Sequence, residues 1–144
     1  MSMKKIYLNL HKCLGCKTCE ITCRLEHSLS KELFSAINEF PLPLKRVSVF
    51  SAIGHCIPVR CLHCEDAFCL FACKSGAISK DENTGRVIID SEKCIGCWMC
   101  IMVCPIGAIY IDETGKTAVK CDLCAEKEIP VCVLSCPTSA LFYK

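Results

Sequence analysis

The 144-residue chain has little with which to perform substrate chemistry. It contains no nucleophile–base arrangement, no phosphate-cradling loop and no dinucleotide fingerprint. No basic patch suited to nucleic acid stands out, and the charges nearly balance, with 17 Lys and Arg against 15 Asp and Glu. Aliphatic and aromatic side chains are also in modest supply. The 52% hydrophobic share includes 17 cysteines, and without them roughly 40% of the chain is left to build a core. Something other than side chains is expected to fill the centre.

Long apolar runs are missing as well. The longest uncharged stretch, "CIGCWMCIMVCPIGAIYI" from Cys94 to Ile111, has eighteen positions, but Gly96, Pro105, Gly107 and four cysteines interrupt it. A membrane-spanning helix needs about 20 apolar residues without such breakers, so no direct membrane span is expected. At the N-terminus, Lys4 and Lys5 are followed by only five residues before His11, too few for the apolar region of a signal peptide. No twin-arginine pair precedes them. A cytoplasmic protein is the expectation.

What is abundant is cysteine. A secreted disulfide framework is one reading of such density, but the odd count of 17 and the tandem two-residue spacings argue against it. Sixteen of the cysteines form four quartets. Cys13, Cys16, Cys19 and Cys23 read C-x2-C-x2-C-x3-C, and Cys94, Cys97, Cys100 and Cys104 repeat that spacing. Cys61, Cys64, Cys69 and Cys73 read C-x2-C-x4-C-x3-C, while Cys121, Cys124, Cys132 and Cys136 read C-x2-C-x7-C-x3-C. The repeat continues past the sulfurs as "CKSGAI", "CPIGAI" and "CPTSAL", and acidic turns "DENTG" and "DETG" precede "RVII" and "KTAV". Each repeat therefore reads as a cysteine loop, a short helix begun by the fourth cysteine, then a strand, with hairpins turning at Gly85 and Gly115. The fold class is α+β.

A C-x2-C-x2-C loop can curl round a cubane iron–sulfur cluster and reach three of its four iron corners. In bacterial two-cluster ferredoxins the fourth cysteine ligates the neighbouring cluster, and Cys94 to Pro105 match the C-x2-C-x2-C-x3-C-P motif in full. Gly15 and Gly96 sit inside loops where a missing side chain lets backbone N–H groups approach the sulfurs. Zinc ribbons use pairs and leave the third and fourth cysteines unexplained. Haem attachment needs C-x-x-C-H, but Lys17, Glu65, Trp98 and Ala125 follow the four pairs. A thioredoxin-like site uses one pair, not an array. Iron–sulfur clusters fit best. Each first cysteine also follows a cation, Lys12, Arg60, Lys93 or Lys120. These are either duplicated surface charges or groups that offset a cubane whose net charge is about −2 with four thiolates.

The second and third quartets, one hairpin apart, have the layout of a two-cluster ferredoxin and are expected to exchange their fourth cysteines. The first and fourth must then exchange theirs, which requires "KIYLNL" and "ALFYK" to lie together. Two ferredoxin-like two-cluster modules follow, the inner nested within the outer. Residues 1–27 and 115–144 form the halves of the outer module, 28–55 a cysteine-free insertion and 56–114 the inner module. The expected ligand sets are Cys13, Cys16, Cys19 and Cys136 for cluster 1 and Cys121, Cys124, Cys132 and Cys23 for cluster 2. Cluster 3 takes Cys61, Cys64, Cys69 and Cys104, and cluster 4 takes Cys94, Cys97, Cys100 and Cys73.

Across nearly the whole chain, "CLGCKTCEITCRLEHS", "CLHCEDAFC" and "CIGCWMCIMVCP" resemble the iron–sulfur subunits of the dimethyl sulfoxide reductase family. Within it, the "EHS" tail and the "IGCWMC" loop most resemble the ferredoxin-like subunit that serves carbon monoxide dehydrogenase. The resemblance implies four [4Fe-4S] clusters, the nested exchange and a non-catalytic, anaerobic electron-transfer role. The implied partners are a catalytic subunit, carbon monoxide dehydrogenase first, and a second redox protein such as a hydrogenase. A molybdenum or tungsten oxidoreductase is the alternative, and a free carrier or a zinc scaffold belongs to another class. Arg24 and Lys74 stand where a two-cluster ferredoxin has proline, which leaves loop shape open there.

Outside the quartets, Cys56 reads as a buried free thiol. His11, His27, His55 and His63 read as packing or hydrogen-bonding groups, and Trp98 as a shield over its cluster. In the insertion, "SKELFSAIN" reads as a helix capped near Ser30, and "RVSVFSAI" as a strand that covers the module or offers a partner an apolar edge.

Overall fold

The computed structural model describes residues 4–144. Its elements are short because the cysteine loops interrupt the chain so often. In order they are strand β1 (Ile6–Leu8), helices α1 (Thr18–Glu26) and α2 (Leu33–Ala36), and strands β2 (Val47–Ala52) and β3 (His55–Arg60). Helix α3 (Phe68–Ala72), strands β4 (Ile78–Lys80) and β5 (Val87–Ile89), and helix α4 (Met99–Val103) follow. Strands β6 (Ile109–Ile111) and β7 (Ala118–Lys120), helix α5 (Val131–Leu134) and strand β8 (Leu141–Tyr143) complete the protein.

All four sheets are two-stranded antiparallel ribbons. β4–β5 and β6–β7 are the hairpins expected around Gly85 and Gly115, both of which adopt positive φ, 67° and 69°. β1 pairs with β8 in the register Ile6↔Tyr143, Tyr7↔Phe142 and Leu8↔Leu141, so residues from opposite ends of the chain lie side by side. Two-stranded ribbons are marginal alone, and each here buries one face against a helix. Ile6, Cys19, Cys23, Val47, Cys121, Leu123, Cys132 and Leu141 make one core, and Ala67, Ile78, Val87, Cys100, Ile109 and Ala118 make the other. Among the described residues no helix is long and apolar enough to cross a membrane. The uncharged Cys94–Ile111 stretch is a loop, α4, a turn and β6.

Two local expectations are revised. The fourth cysteine does not begin a helix: Cys73 and Cys104 follow α3 and α4 with extended backbones, Cys136 lies beyond α5, and Cys23 lies inside α1. The helix instead starts near the third cysteine, because the loop must first carry three thiols round one cavity. The insertion helix shrinks to α2, capped by Glu32, whose carboxylate accepts from Ser35 N–H at 3.0 Å; Ser30 N–H donates to Glu39 instead. The strand of residues 47–52 belongs to a β2–β3 hairpin that leads straight into the second quartet. Of the insertion's apolar residues, Val47 is buried while Leu29, Phe34, Phe40 and Ile53 are exposed.

Candidate metal centres

In every quartet the third and fourth cysteines are four residues apart, which places them on one side of a helical turn. Yet Cys69 and Cys104 line one cavity and Cys73 and Cys100 another. Cys13, Cys16 and Cys19 line a cavity with Cys136, from the other end of the chain. A second cavity is lined by Cys61, Cys64, Cys69 and Cys104, and a third by Cys73, Cys94, Cys97 and Cys100. Cys23, Cys121 and Cys132 are buried together in the first core, and Cys124, also buried, lies close enough for its charge to act on both Cys23 and Cys132. Each of the three cavities thus takes three thiols from one loop and one from another.

The loops share a backbone device. The residue two after each first cysteine is left-handed: Gly15, His63, Gly96 and Leu123 have φ of 69°, 48°, 67° and 60°. In the first and third loops another left-handed residue, Lys17 or Trp98, stands before α1 or α4. This repeated bend explains why two loops carry glycine. The expectation that glycine merely admits backbone N–H groups is incomplete, because a Cβ on Gly15 would lie 2.5 Å from Cys56 Sγ, and one on Gly96 would lie 2.6 Å from the Lys116 carbonyl oxygen. His63 and Leu123 instead put buried side chains at the equivalent position.

The repeated "SGAI" and "IGAI" segments supply donors to the fourth cysteines. Ala108 N–H donates to Cys104 Sγ at 3.4 Å, and the Ala77 and Ile78 N–H groups serve Cys73, as those of Ala140 and Leu141 serve Cys136. Further N–H···S bonds come from Arg46 to Cys23, His63 to Cys61 and Ala118 to Cys94, at 3.3, 3.4 and 3.5 Å. Such donors stabilise sulfur bearing negative charge. Without compensation the inner thiols resist ionisation: burial pushes Cys19 and Cys121 up to about 11 and Cys23 up to about 12. Metal loading therefore has to displace protons.

Between the cavities lie buried polar groups. Arg60 is 5% exposed and Lys120 4% exposed, and neither pairs with a carboxylate among the described residues. Arg60 donates to the carbonyls of Ile6 and Pro58 but leaves its buried Nε unpartnered. Lys120 Nζ donates to Cys61 Sγ at 3.3 Å and to the Val87 carbonyl. His63 Nδ1 accepts from Val87 N–H at 3.0 Å, leaving its buried Nε2 without a partner. Burial, together with the charge of Lys120, lowers the His63 pKa to about 3, so the ring is neutral. Burying two unpaired cations is costly, and the deficit fits an anionic group inside the cysteine cradles.

The other sites are distinct in kind. His27 contacts the Cys23 carbonyl and Asp122, and Arg46 donates to Asp122 at 2.7 Å. Burial acts to raise the Asp122 carboxyl, but its bond with His27 and the charge of Arg46 outweigh it and hold the group well below the usual range. His11 and His55 meet edge to face at 5.9 Å. Cys56 is half-buried, with Sγ 3.5 Å from Ser51 Oγ and its side chain against Gly15. Trp98 lines the third cavity. Among the described residues no three His, Cys, Asp or Glu side chains draw tightly enough round a point to share one ion. The thiols line enclosed spaces, the arrangement a cubane requires.

Cysteine cradles joined by shared helical turns on a small α+β frame define a ferredoxin-like iron–sulfur protein, with [4Fe-4S] clusters as its cofactors. This protein belongs to the 4Fe-4S dicluster domain family, whose model matches residues 53–144. It is 41% identical to "Iron-sulfur protein" of Rhodospirillum rubrum over 94% of this sequence and 79% of that protein. It is 37% identical to "Electron transport protein HydN" of Escherichia coli K12 over 94% of this sequence and 85% of that one. It is 38% identical to one subunit of the anaerobic dimethyl sulfoxide reductase of the same strain, over 94% and 70%. Among solved structures, a subunit of the BamBC active-site complex of benzoyl coenzyme A reductase superposes with a TM-score of 0.53 at 22% identity. That match covers 99% of this sequence and 79% of the other, a likeness of fold.

Proposed function

We propose that this protein is a non-catalytic electron-transfer subunit with four [4Fe-4S] clusters, held by the four cysteine sets expected from the sequence. The carrying observation is the crossed grouping of thiols, in which Cys136 joins Cys13, Cys16 and Cys19, and Cys104 joins Cys61, Cys64 and Cys69. It supports an inner module of residues 56–114 nested in an outer one, with the β1–β8 ribbon holding the outer halves together. When bound, a [4Fe-4S] cluster accepts and returns one electron. The protein's own residues fix the spacing, exclude water and offset charge. Cys16 and Cys97 are exposed and belong to the two end cradles, which gives the series two solvent-facing ends, one for each redox partner.

The favoured donor is a nickel–iron carbon monoxide dehydrogenase, with a hydrogenase or another acceptor at the far end. This reading rests on the "EHS" and "IGCWMC" resemblance. A second reading, the equivalent subunit of a molybdenum or tungsten oxidoreductase, is favoured by the dimethyl sulfoxide reductase relative. The test is to mix the holoprotein with carbon monoxide dehydrogenase under CO. Rapid bleaching of the clusters and a stable complex are expected; clusters that stay oxidised there, but are reduced quickly by a molybdenum or tungsten enzyme, would establish the second reading. Iron should be about sixteen atoms per protein, four per cubane, and about eight in fully reconstituted protein would refute the four-cluster count.

A further inference from the structure

The four cations that precede the quartets look equivalent in sequence but are not equivalent in space. Lys12 and Lys93 are exposed, and Lys93 pairs with Asp90 at 3.2 Å. Arg60 and Lys120 end strands β3 and β7 inside the protein, without a carboxylate partner among the described residues. Their reach is crossed. Lys120 precedes Cys121 yet donates to Cys61 Sγ at 3.3 Å, and its charge acts on Cys69 of that same loop. Arg60 precedes Cys61, yet its guanidinium donates to the Ile6 carbonyl, and Ile6 packs in the core that holds Cys121 and Cys132, whose charges act on Arg60. A cation and a sulfur donor beside a buried cluster favour the state with one more negative charge, which is the reduced state.

We propose that Arg60 and Lys120 are crossed tuning residues: Lys120 raises the reduction potential of the cluster on the Cys61 loop, and Arg60 raises that of the cluster on the Cys121 loop. These are the two interior clusters of the proposed series. The cations that precede the end cradles of Cys16 and Cys97, Lys12 and Lys93, are solvated, and water and salt screen their charges. Electrons entering at either end therefore come to rest in the middle. The protein then holds up to two electrons away from solvent until a partner at one of the ends draws them out through its end cluster. Each transfer leaves one cluster oxidised and the next reduced, so no further reactant enters. This assignment rests on the ligand sets proposed above.

The experiment is an EPR-monitored redox titration of iron-replete holoprotein, with Cys69→Ser and Cys132→Ser used in turn to identify the two interior signals. Lys120→Gln is expected to shift the Cys61-loop cluster by about tenfold or more in its redox equilibrium, equivalent to 59 mV for a one-electron couple. Arg60→Gln should do the same to the Cys121-loop cluster. Each variant should leave the end clusters within about threefold, and Lys12→Gln and Lys93→Gln should do no more to any cluster. Lys120→Arg should restore the parent value. Full iron with unmoved potentials, or an equal shift from the solvated lysines, would overturn the tuning role. Low iron or the wrong signals lost in the serine variants would instead overturn the ligand sets. If Lys120→Gln fails to assemble, the parent protein carrying isotopically labelled lysine decides the matter: one of the first two clusters reduced must show coupling to a lysine nitrogen, and its absence from both refutes the proposal.

Discussion

Replacing Gly15 by alanine separates two reasons for a glycine, and a neighbouring cysteine lets each be measured. At Gly15 φ is 69°, and an added Cβ would lie 2.5 Å from Cys56 Sγ and 3.1 Å from Cys56 Cβ. The left-handed backbone alone costs an alanine about 1–2 kcal/mol, and forcing a methyl into a filled space adds about 1–3 kcal/mol. Gly107 provides the reference for strain alone, because its φ is 61° and a Cβ there meets nothing within 4 Å. Gly107→Ala should therefore destabilise by about 1–2 kcal/mol and Gly15→Ala by about 2–5 kcal/mol. Combining Gly15→Ala with Cys56→Ala should recover about 1–3 kcal/mol, since the sulfur is the closer obstacle. Gly96→Ala has no such remedy, because its obstacle is the Lys116 carbonyl oxygen at 2.6 Å. The assay is loss of visible cluster absorbance against urea, under argon, for the three glycine variants, Cys56→Ala and the double mutant. Equal midpoints for Gly15→Ala and Gly107→Ala, or no recovery in the double mutant, would refute the packing explanation.

The remaining expectations concern the metal. Cys23→Ser should disturb the cluster of Cys121, Cys124 and Cys132, and Cys136→Ser that of Cys13, Cys16 and Cys19, with loss of up to about four iron atoms in each case; EPR of the remaining clusters checks it, and disturbance of each residue's own loop cluster would count against the crossed ligands. Cys56→Ser should keep the full iron content, measured by chemical iron assay, because its thiol borders Gly15 from outside the quartets. Removing iron with a chelator should collapse the fold, since the cores are thin and two buried cations lose their compensation; circular dichroism of the apoprotein checks this, and a native-like spectrum would contradict it.

Much of the site was legible because a thiol's position is set by local spacing. The four quartets, the hairpins at Gly85 and Gly115 and the joining of "KIYLNL" to "ALFYK" all follow from spacing and turn residues. Burial was not legible in the same way. Lys12 and Lys120 occupy the same place in their repeats, but only tertiary packing decides that one is solvated and the other faces Cys61. His63 and Leu123 concealed a shared left-handed bend because they carry side chains where the other loops have glycine. The repeated "GAI" was visible, but its purpose was not: the N–H groups it aims at the fourth cysteine exist only once the helix has ended at that residue. The helix cap at Glu32 was missed because two acceptors, Ser30 and Glu32, competed within three residues, and Glu39 took the N–H of the first.

The ribbon between β1 and β8 also sets a timetable. A polypeptide leaving the ribosome presents Cys13, Cys16 and Cys19 early, but the thiol that completes their cavity is Cys136, and the strand that clamps the cavity shut is Leu141–Tyr143. The cavities of Cys61–Cys104 and Cys73–Cys100 can close while the C-terminal segment is still being made. Assembly should thus proceed from the middle of the sequence outward, and a polypeptide that has emerged as far as Lys120 should carry two filled cradles and leave the four thiols of the first quartet waiting near its start.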